Sequence, residues 1–560
     1  MTDAERRDLT STLQKLSLTA LKRNQWTVSN SLRILWSTHS LCHFSYRKSI
    51  EVVKIRDSLQ EWARWDVFKS LANYRVVVET LFDLLKNNLM QDLSENDHAE
   101  KLAQSLSQDV HALHDQLFSI FGDPDKYKIF LSSRGDLAQK LIDLLQDVLD
   151  SLPETTARTR LFKALLRLSR VSGLHPTCFA LTGLYVTGRQ VAAGGFSDIW
   201  KGQVRGKSVS VKIMRLIEAS EARTALQEFG REALIWRQLS HPNLLPFLGL
   251  HYLDNKLCLV SPWMSNGHIL QFLKTAPPDV DRVSLMLDVA MGLEYLHGRD
   301  VVHGDLKGTN ILVTPSHRAC VADFGLSTIV DAMTLRFSHS TASVNRGGTA
   351  RYQSPELLST PTPNHFGSDV YAYACVCYEI WTGKAPFFEL PRDGTVIMKV
   401  VEGLRPSRPT TIPFNDSLWL LLQDCWKTEP RDRPSASQIV RRLLGPAIRA
   451  KARDSAKDWD ETISSKCRRS LQDWPLLPSV ASIERRVFGD GARSVWHCAE
   501  NTWPTPAHSD ALGASIYIYG GGRRPSEVAP PPALLRSAVS RSRAYSCSAV
   551  LVAARRPRLY

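Results

Sequence analysis

Two aspartates eighteen residues apart carry the strongest chemical signal in the sequence. Asp305 lies in HGDLKGTNIL (303–312) and Asp323 in ADFG (322–325), with Lys307 and Asn310 between them. One carboxylate, Asp305, can accept the proton of an attacking hydroxyl. The second, Asp323, together with the side-chain carbonyl of Asn310, can hold Mg²⁺, a hard cation that takes oxygen ligands. Lys307 can offset charge on a phosphoryl group in transit. Upstream, Lys212 closes the apolar alternation VSVK (209–212). A lysine pointing inward from such a strand needs an anion, either a phosphate or a carboxylate. Glu232 can supply the carboxylate from a helical stripe formed by Leu226, Phe229, Ala233, Trp236 and Leu239. Glu228, one turn earlier, is its rival; Glu232 is preferred because it stands nine residues before the HPN turn (241–243) that ends the helix. Gly194 and Gly195, in VAAGGFSDIWKG (191–202), lie eighteen and seventeen residues before Lys212 and on their own mark a turn between strand-like segments. Taken singly, each feature has an ordinary explanation: a turn at the glycines, a solvated lysine or glutamate, a strand-ending DFG. Their order and spacing make them a set.

The elements that must position this set are legible in the hydrophobic pattern. Short β-rich runs at 208–213 and 257–261 give way to helix-length apolar patterns between 280 and 445, which predicts a small strand-rich lobe followed by a larger helical one. The run 370–380, broken by Glu379, reads as a buried core helix and is too short to span a bilayer. Before these lobes, residues 45–175 are helical in pattern. Leu102, Leu106, Val110, Leu113 and Leu117 share one face, as do Leu137, Leu141, Leu144, Leu145 and Val148, and a further run covers 161–168. SRGD (133–136) reads as a capping box and Asp123-Pro124-Asp125 as a turn. The result is a small antiparallel bundle. Residues 1–44 have weak periodicity, with a helix only at 9–21, and residues 448–560 lose periodicity altogether.

Composition excludes other classes. Of 560 residues, 43% are hydrophobic and 22% charged, ordinary values for a globular protein. The net charge of +14 is concentrated: residues 491–560 hold nine Arg against three acids, so the remainder is only mildly basic. No interleaved aromatics or reader motif accompany those arginines, and nucleic-acid binding is the less favoured reading beside a disordered tail. The ten cysteines form no CxxC pair and no zinc-spaced cluster, which points to reduced thiols. The polar N-terminus shows no secretory signal and no transmembrane segment is visible, so the chain is expected to be soluble, intracellular and cytoplasmic.

Together the motifs resemble the eukaryotic protein kinase family over residues 184–447: a glycine loop, a strand lysine, a helix glutamate, a catalytic loop, DFG and, at Ser354-Pro355-Glu356, an APE-like motif. DLKGTN, LSHPN and CWKTEPRDRP are most similar to the tyrosine-kinase-like group of Ser/Thr kinases. The resemblance implies an α+β, bilobal kinase fold and transfer of the ATP γ-phosphoryl group to protein hydroxyls in signalling. In that reading Asp305 is the base, Asp323 and Asn310 hold Mg²⁺, and Lys212, positioned by Glu232, holds the α/β-phosphates. By the same resemblance Ser261 takes the gatekeeper position and Met264 offers its backbone N–H to adenine. Pro262 lacks an N–H, but that position needs only its carbonyl. Asp369 and a Glu356–Arg433 ion pair are implied as structural anchors, and His303 as a packing residue beneath the DFG phenylalanine.

Three departures qualify the match. Ala192 and Ser197 stand at the outer glycine positions of the loop, and Gly304 replaces the arginine that gathers a phosphorylated activation-loop residue. Activity independent of phosphorylation at Thr334, Ser338, Ser340, Thr341 and Ser343 is therefore expected. The alternative class is a pseudokinase or nucleotide-binding scaffold acting through its helical N-terminal domain. For residues 45–175 two readings stand together: an interaction or regulatory domain serving self-association, membrane engagement or adaptor docking, and a helical extension that packs on the strand-rich lobe. Arg160, Lys163, Arg167 and Arg170 mark either a membrane- or phosphate-facing stripe or a solvated face.

Overall fold

The computed structural model describes residues 61, 64–74, 76, 113–151, 156–193, 197–215, 222–253, 256–277, 279–329, 350–360, 362–410, 414–450 and 458. The segment 1–44, the positions Leu102, Leu106 and Val110, Gly194 and Gly195, the five hydroxyl residues between 334 and 343, and the tail apart from 448–450 and 458 lie outside the described residues.

The N-terminal helices are α1 (Val67–Ala72), α2 (Pro124–Ser132), α3 (Gly135–Ser151) and α4 (Thr156–Ser172), with residues 113–122 also helical. Leu141, Leu144, Leu145, Val148 and Leu149 of α3 are buried, as are Leu161, Ala164, Leu165 and Leu168 of α4. Each stripe recurs at three and four residues, and each leucine so buried contributes about 1.5–3 kcal/mol. Two local expectations are corrected. Asp123-Pro124-Asp125 starts α2: Asp123 Oδ1 accepts from the N–H groups of Asp125 and Lys126 at 3.1 Å, and Pro124 sits where a missing N–H costs nothing. SRGD forms no capping box, because Ser133 ends α2, donating its N–H to Phe130 O, and the chain then turns through Gly135 at φ +57°.

A five-stranded antiparallel sheet follows, in the order β1-β2-β3-β5-β4, from β1 (Leu184–Ala193), β2 (Ser197–Val204), β3 (Lys207–Met214), β4 (Gly249–Leu253) and β5 (Lys256–Pro262). Val204, Val209, Val211, Leu248, Cys258 and Val260 form its core. Helix α5 (Ala222–Arg237) packs on this sheet. The larger lobe is built on α7 (Arg282–His297), reached through α6 (Ile269–Thr275), and later on α8 (Pro355–Ser359), α9 (Phe366–Thr382), α10 (Asp393–Val401), α11 (Asp416–Cys425) and α12 (Ala436–Leu444). Helix α9 is the core helix expected at 370–380, buried on every side from Ser368 to Ile380 and stopped by Gly383 at φ 71°. Between α7 and α8 run two small two-stranded sheets, β6 (Val301–Val302) with β9 (Thr328–Ile329) and β7 (Ile311–Val313) with β8 (Ala319–Val321). The lobes are stitched together where Leu245 N donates to Val321 O at 2.9 Å and Val321 N to Asn243 O at 2.8 Å. Among the described residues no helix is long and apolar enough to cross a membrane.

Candidate active site

Strand β3 carries Lys212 opposite Ile199 of β2 and Leu259 of β5, so the lysine stands on a central strand of the sheet. Its Nζ reaches Glu232 Oε1 at 2.7 Å and Asp323 Oδ1 at 2.8 Å. The choice between the two glutamates is thereby resolved: Glu232 is 3% exposed and meets the lysine, whereas Glu228 pairs with Arg231 at 3.6 Å. Burial would lower the Lys212 pKa, but Asp323 and then Glu232 raise it above the ordinary lysine range. For Asp323 burial acts upward, and the Lys212 charge and hydrogen bond more than offset it, holding the carboxyl well below the usual range. Both groups are therefore charged at neutral pH.

The catalytic loop is held from beneath. Asp369, buried near the start of α9, accepts the N–H groups of His303 (2.8 Å) and Gly304 (2.9 Å), and His297 Nε2 lies 3.1 Å away. Asp305 Oδ2 then takes Lys307 Nζ at 2.7 Å and Asn310 Nδ2 at 3.3 Å, while Asn310 Nδ2 also reaches the Asp305 carbonyl at 2.8 Å. Asp305 Oδ1 is buried with no hydrogen-bond partner. An acceptor left open on an otherwise fixed carboxylate suits a donor that arrives with substrate. Asn310 O accepts from Ala322 N at 2.9 Å, which fixes that residue beside the Asp323 segment. The donors available there, a carboxylate and an amide, are oxygen donors. They fit Mg²⁺, which binds through one or two protein groups and completes its shell with phosphate oxygens and water. No cluster of three or more His, Cys, Asp or Glu suited to a metal occurs among the described residues.

A chain of rings supports this arrangement. Phe324 lies 5.7 Å from His303 and 5.7 Å from Trp236, and Trp236 lies 5.5 Å from Phe247. His303 and Trp236 are thus packing residues, with Trp236 Nε1 donating to Leu245 O at 2.5 Å. Ser261, at the end of β5, and Met264 are both buried where β5 leaves the sheet. Ser197 is buried and opens β2, while Ala192 pairs with Ile199; the glycines between them are outside the described residues.

Gly304 is more than a lost arginine. Its φ is +79°, and a Cβ there would meet Asn364 Nδ2 at 2.6 Å and Leu326 O at 2.9 Å. The glycine permits a backbone turn that an arginine would strain, and Asn364 occupies the adjoining space. The Glu356–Arg433 pair forms with both oxygens engaged at 2.7 Å. Sequence reasoning missed Glu379, whose Oε1 accepts Tyr352 OH at 2.8 Å and whose Oε2 accepts Gly308 N at 3.1 Å, tying the catalytic loop to the segment before α8. A carboxylate interrupting an apolar helix was its available signal. Also missed was Asp288, which grips Arg318 at 2.6–2.9 Å under β8. On α4, Arg160 is exposed and Arg167 half-buried, and their guanidinium groups lie over the rings of Phe118 (5.2 Å) and Tyr127 (5.8 Å).

Residues 185–443 match the family model of protein tyrosine and serine/threonine kinases, and this stretch of the chain belongs to the eukaryotic protein kinase family. A probable serine/threonine-protein kinase of Dictyostelium discoideum is 29% identical over 265 residues, 46% of this chain and 19% of its own. The serine/threonine-protein kinases STY17 and CTR1 of Arabidopsis thaliana are 30% and 32% identical over 258 and 268 residues, covering 46% and 47% of this chain and 43% and 31% of theirs. The matched segment therefore spans less than half the length of each of these curated relatives.

Proposed function

We propose that the chain is a protein Ser/Thr kinase that transfers the γ-phosphoryl group of ATP to protein hydroxyls in cytoplasmic signalling. The observation that carries this reading is convergence: Lys212 bridges Glu232 and Asp323, while Asp305, Lys307 and Asn310 form a hydrogen-bonded set on the loop beside them. Lys212 holds the α/β-phosphates, Gly194 and Gly195 belong to the nucleotide-binding residues, and the Ser261–Met264 segment receives adenine. Asp323 and Asn310 hold Mg²⁺, which when bound neutralises charge on the phosphates. The substrate hydroxyl oxygen attacks the γ-phosphorus, the bond to the β,γ-bridging oxygen breaks with ADP as leaving group, and the hydroxyl proton passes to Asp305 Oδ1. Lys307, held on the other oxygen of the same carboxylate, offsets charge on the moving group.

With these polar positions all present, the site favours an enzyme over a scaffold. Gly304 supports activity that does not depend on activation-loop phosphorylation through an arginine at that position. ATP turnover onto a generic basic protein, with phosphoserine and phosphothreonine identified in the product, tests the proposal. Wild type should transfer and Asp305→Asn should not; equal background from both would favour the scaffold.

A further inference from the structure

We infer that the N-terminal helical segment is an intramolecular clamp that positions α5, and through it Glu232 against Lys212; as a role in catalysis this rests on the kinase reading. Helix α5 presents two faces. One carries Phe229, Glu232, Ala233 and Trp236 toward the sheet and the DFG segment. The other, at 227, 230, 237 and the adjoining 238, follows the helical repeat and meets α3, α4 and the connection after them. Gln227 Nε2 donates to Arg170 O at 3.1 Å near one end. At the opposite end Arg237, 7% exposed, meets Asp150 Oδ2 of α3 at 2.9 Å, and Gln238 is held between Gln146 (3.0 Å) and Arg158 (2.7 Å). Midway, Gly230 lies against His175 so closely that a Cβ would fall 1.9 Å from the imidazole Nε2. Burial lowers the His175 pKa to about 4, so the ring is a neutral packing group at physiological pH.

A second route reaches the same place. Phe179, which follows α4 by a short connection, is buried 5.7 Å from Phe247 and thereby extends the ring chain that runs through Trp236 and Phe324 to His303. Leu181 N donates to Leu250 O at 2.7 Å, and His251 Nδ1 lies 3.0 Å from Leu181 O, fastening the connection to β4. The face of α3 and α4 that grips α5 is therefore engaged within the chain. Any movement of these helices is transmitted to the carboxylate that orients Lys212. Gly230, Asp150, Arg237 and Phe179 are positioning residues, since none of them touches the reacting groups.

The test uses the full chain and two readouts: kcat and KM for ATP, and hydrogen exchange over residues 222–237. Alanine is the better helix former, so any harm from Gly230→Ala must come from the collision with His175. The variant should lose at least tenfold in kcat/KM for ATP, with KM raised, and exchange faster across α5. Adding His175→Ala makes room and should restore both readouts to within about threefold of wild type. Asp150→Asn, which keeps the steric fit and removes the anion facing Arg237, should move both in the same direction by a smaller factor, and it remains informative if Gly230→Ala does not fold. Unchanged α5 exchange in Asp150→Asn and in any folded Gly230→Ala overturns the clamp, as does failure of His175→Ala to rescue. If exchange responds as described while wild type transfers no phosphate, the clamp stands and the kinase reading falls.

Discussion

Replacing Glu379 by glutamine should stabilise the protein, and more so at alkaline pH. The carboxylate is 1% exposed within α9, and its two hydrogen bonds, from Tyr352 and Gly308, do not compensate for lost hydration. Burial raises its pKa from an ordinary 4.5 to about 7, against the smaller downward pull of those two donors. Between these values the folded state binds a proton that the unfolded state has released, so stability falls as pH rises through the window. The cost at pH 8 is about 3 kcal/mol and at pH 5.5 about 1 kcal/mol, from 1.36 kcal/mol per pH unit. Glutamine carries no charge, and its carbonyl can accept Gly308 N–H while its amide donates to the Tyr352 oxygen. At roughly 2 °C per kcal/mol for a domain of this size, Glu379→Gln should melt about 6 °C above wild type at pH 8 and about 2 °C above it at pH 5.5. Scanning calorimetry of both proteins across that range reads the difference. A variant no more stable than wild type at pH 8, or an advantage that does not shrink on acidification, would refute the reasoning. Space is part of the argument, because a Cβ on Gly308 would lie 2.2 Å from the Glu379 oxygen, so the contact depends on a glycine in the catalytic loop.

Other perturbations follow from the same geometry. Lys212→Met leaves Glu232 and Asp323 without their shared cation and should lower kcat/KM for ATP about a hundredfold or more, read by initial rates against ATP concentration. Gly304→Arg should cost about 2–4 kcal/mol in urea unfolding, because the backbone there is left-handed and a Cβ collides with Asn364 and Leu326; a neutral result would show that the loop relaxes freely. Arg433→Met should cost about 3–5 kcal/mol at pH 7 by leaving Glu356 without its two guanidinium contacts. Burial pushes the Glu356 pKa up, but Arg433, His365 and Ser354 together hold it well below the ordinary range. The pair's contribution is therefore fully present above about pH 4.5 and is lost as pH falls below it, so the gap between wild type and Arg433→Met should narrow in acid.

The site was more legible in the sequence than its supports. Lys212 and Glu232 announce themselves because a charge within an apolar strand and a carboxylate at a set distance from a helix-ending turn are both expensive unless paired. Asp305 and Asp323 are short-range motifs whose spacing survives as written. Glu379 was visible only as a break in an apolar run, since its partners Tyr352 and Gly308 come from segments that neighbour it in space alone. Gly304 reads from sequence as a missing arginine, whereas its left-handed backbone and the Asn364 beside it are tertiary facts. Asp123-Pro124 is ambiguous by nature, because aspartate before proline serves a turn and a helix start equally well. The rings under Arg160 and Arg167 could not be read from the pattern of α4 because Phe118 and Tyr127 lie on other helices. Gly230 gives no local hint of its role, which exists only once His175 is folded against it.

In the proposed reaction Asp305 acts on the transfer step, whereas Lys212 and Asp323 serve the nucleotide. A rapid-quench single turnover with saturating MgATP, paired with equilibrium nucleotide titration, separates the two in Asp305→Asn. Nucleotide affinity should stay within about threefold of wild type while the transfer rate falls by about a thousandfold. A variant that transfers phosphate at the wild-type rate with unchanged affinity would contradict that division of roles.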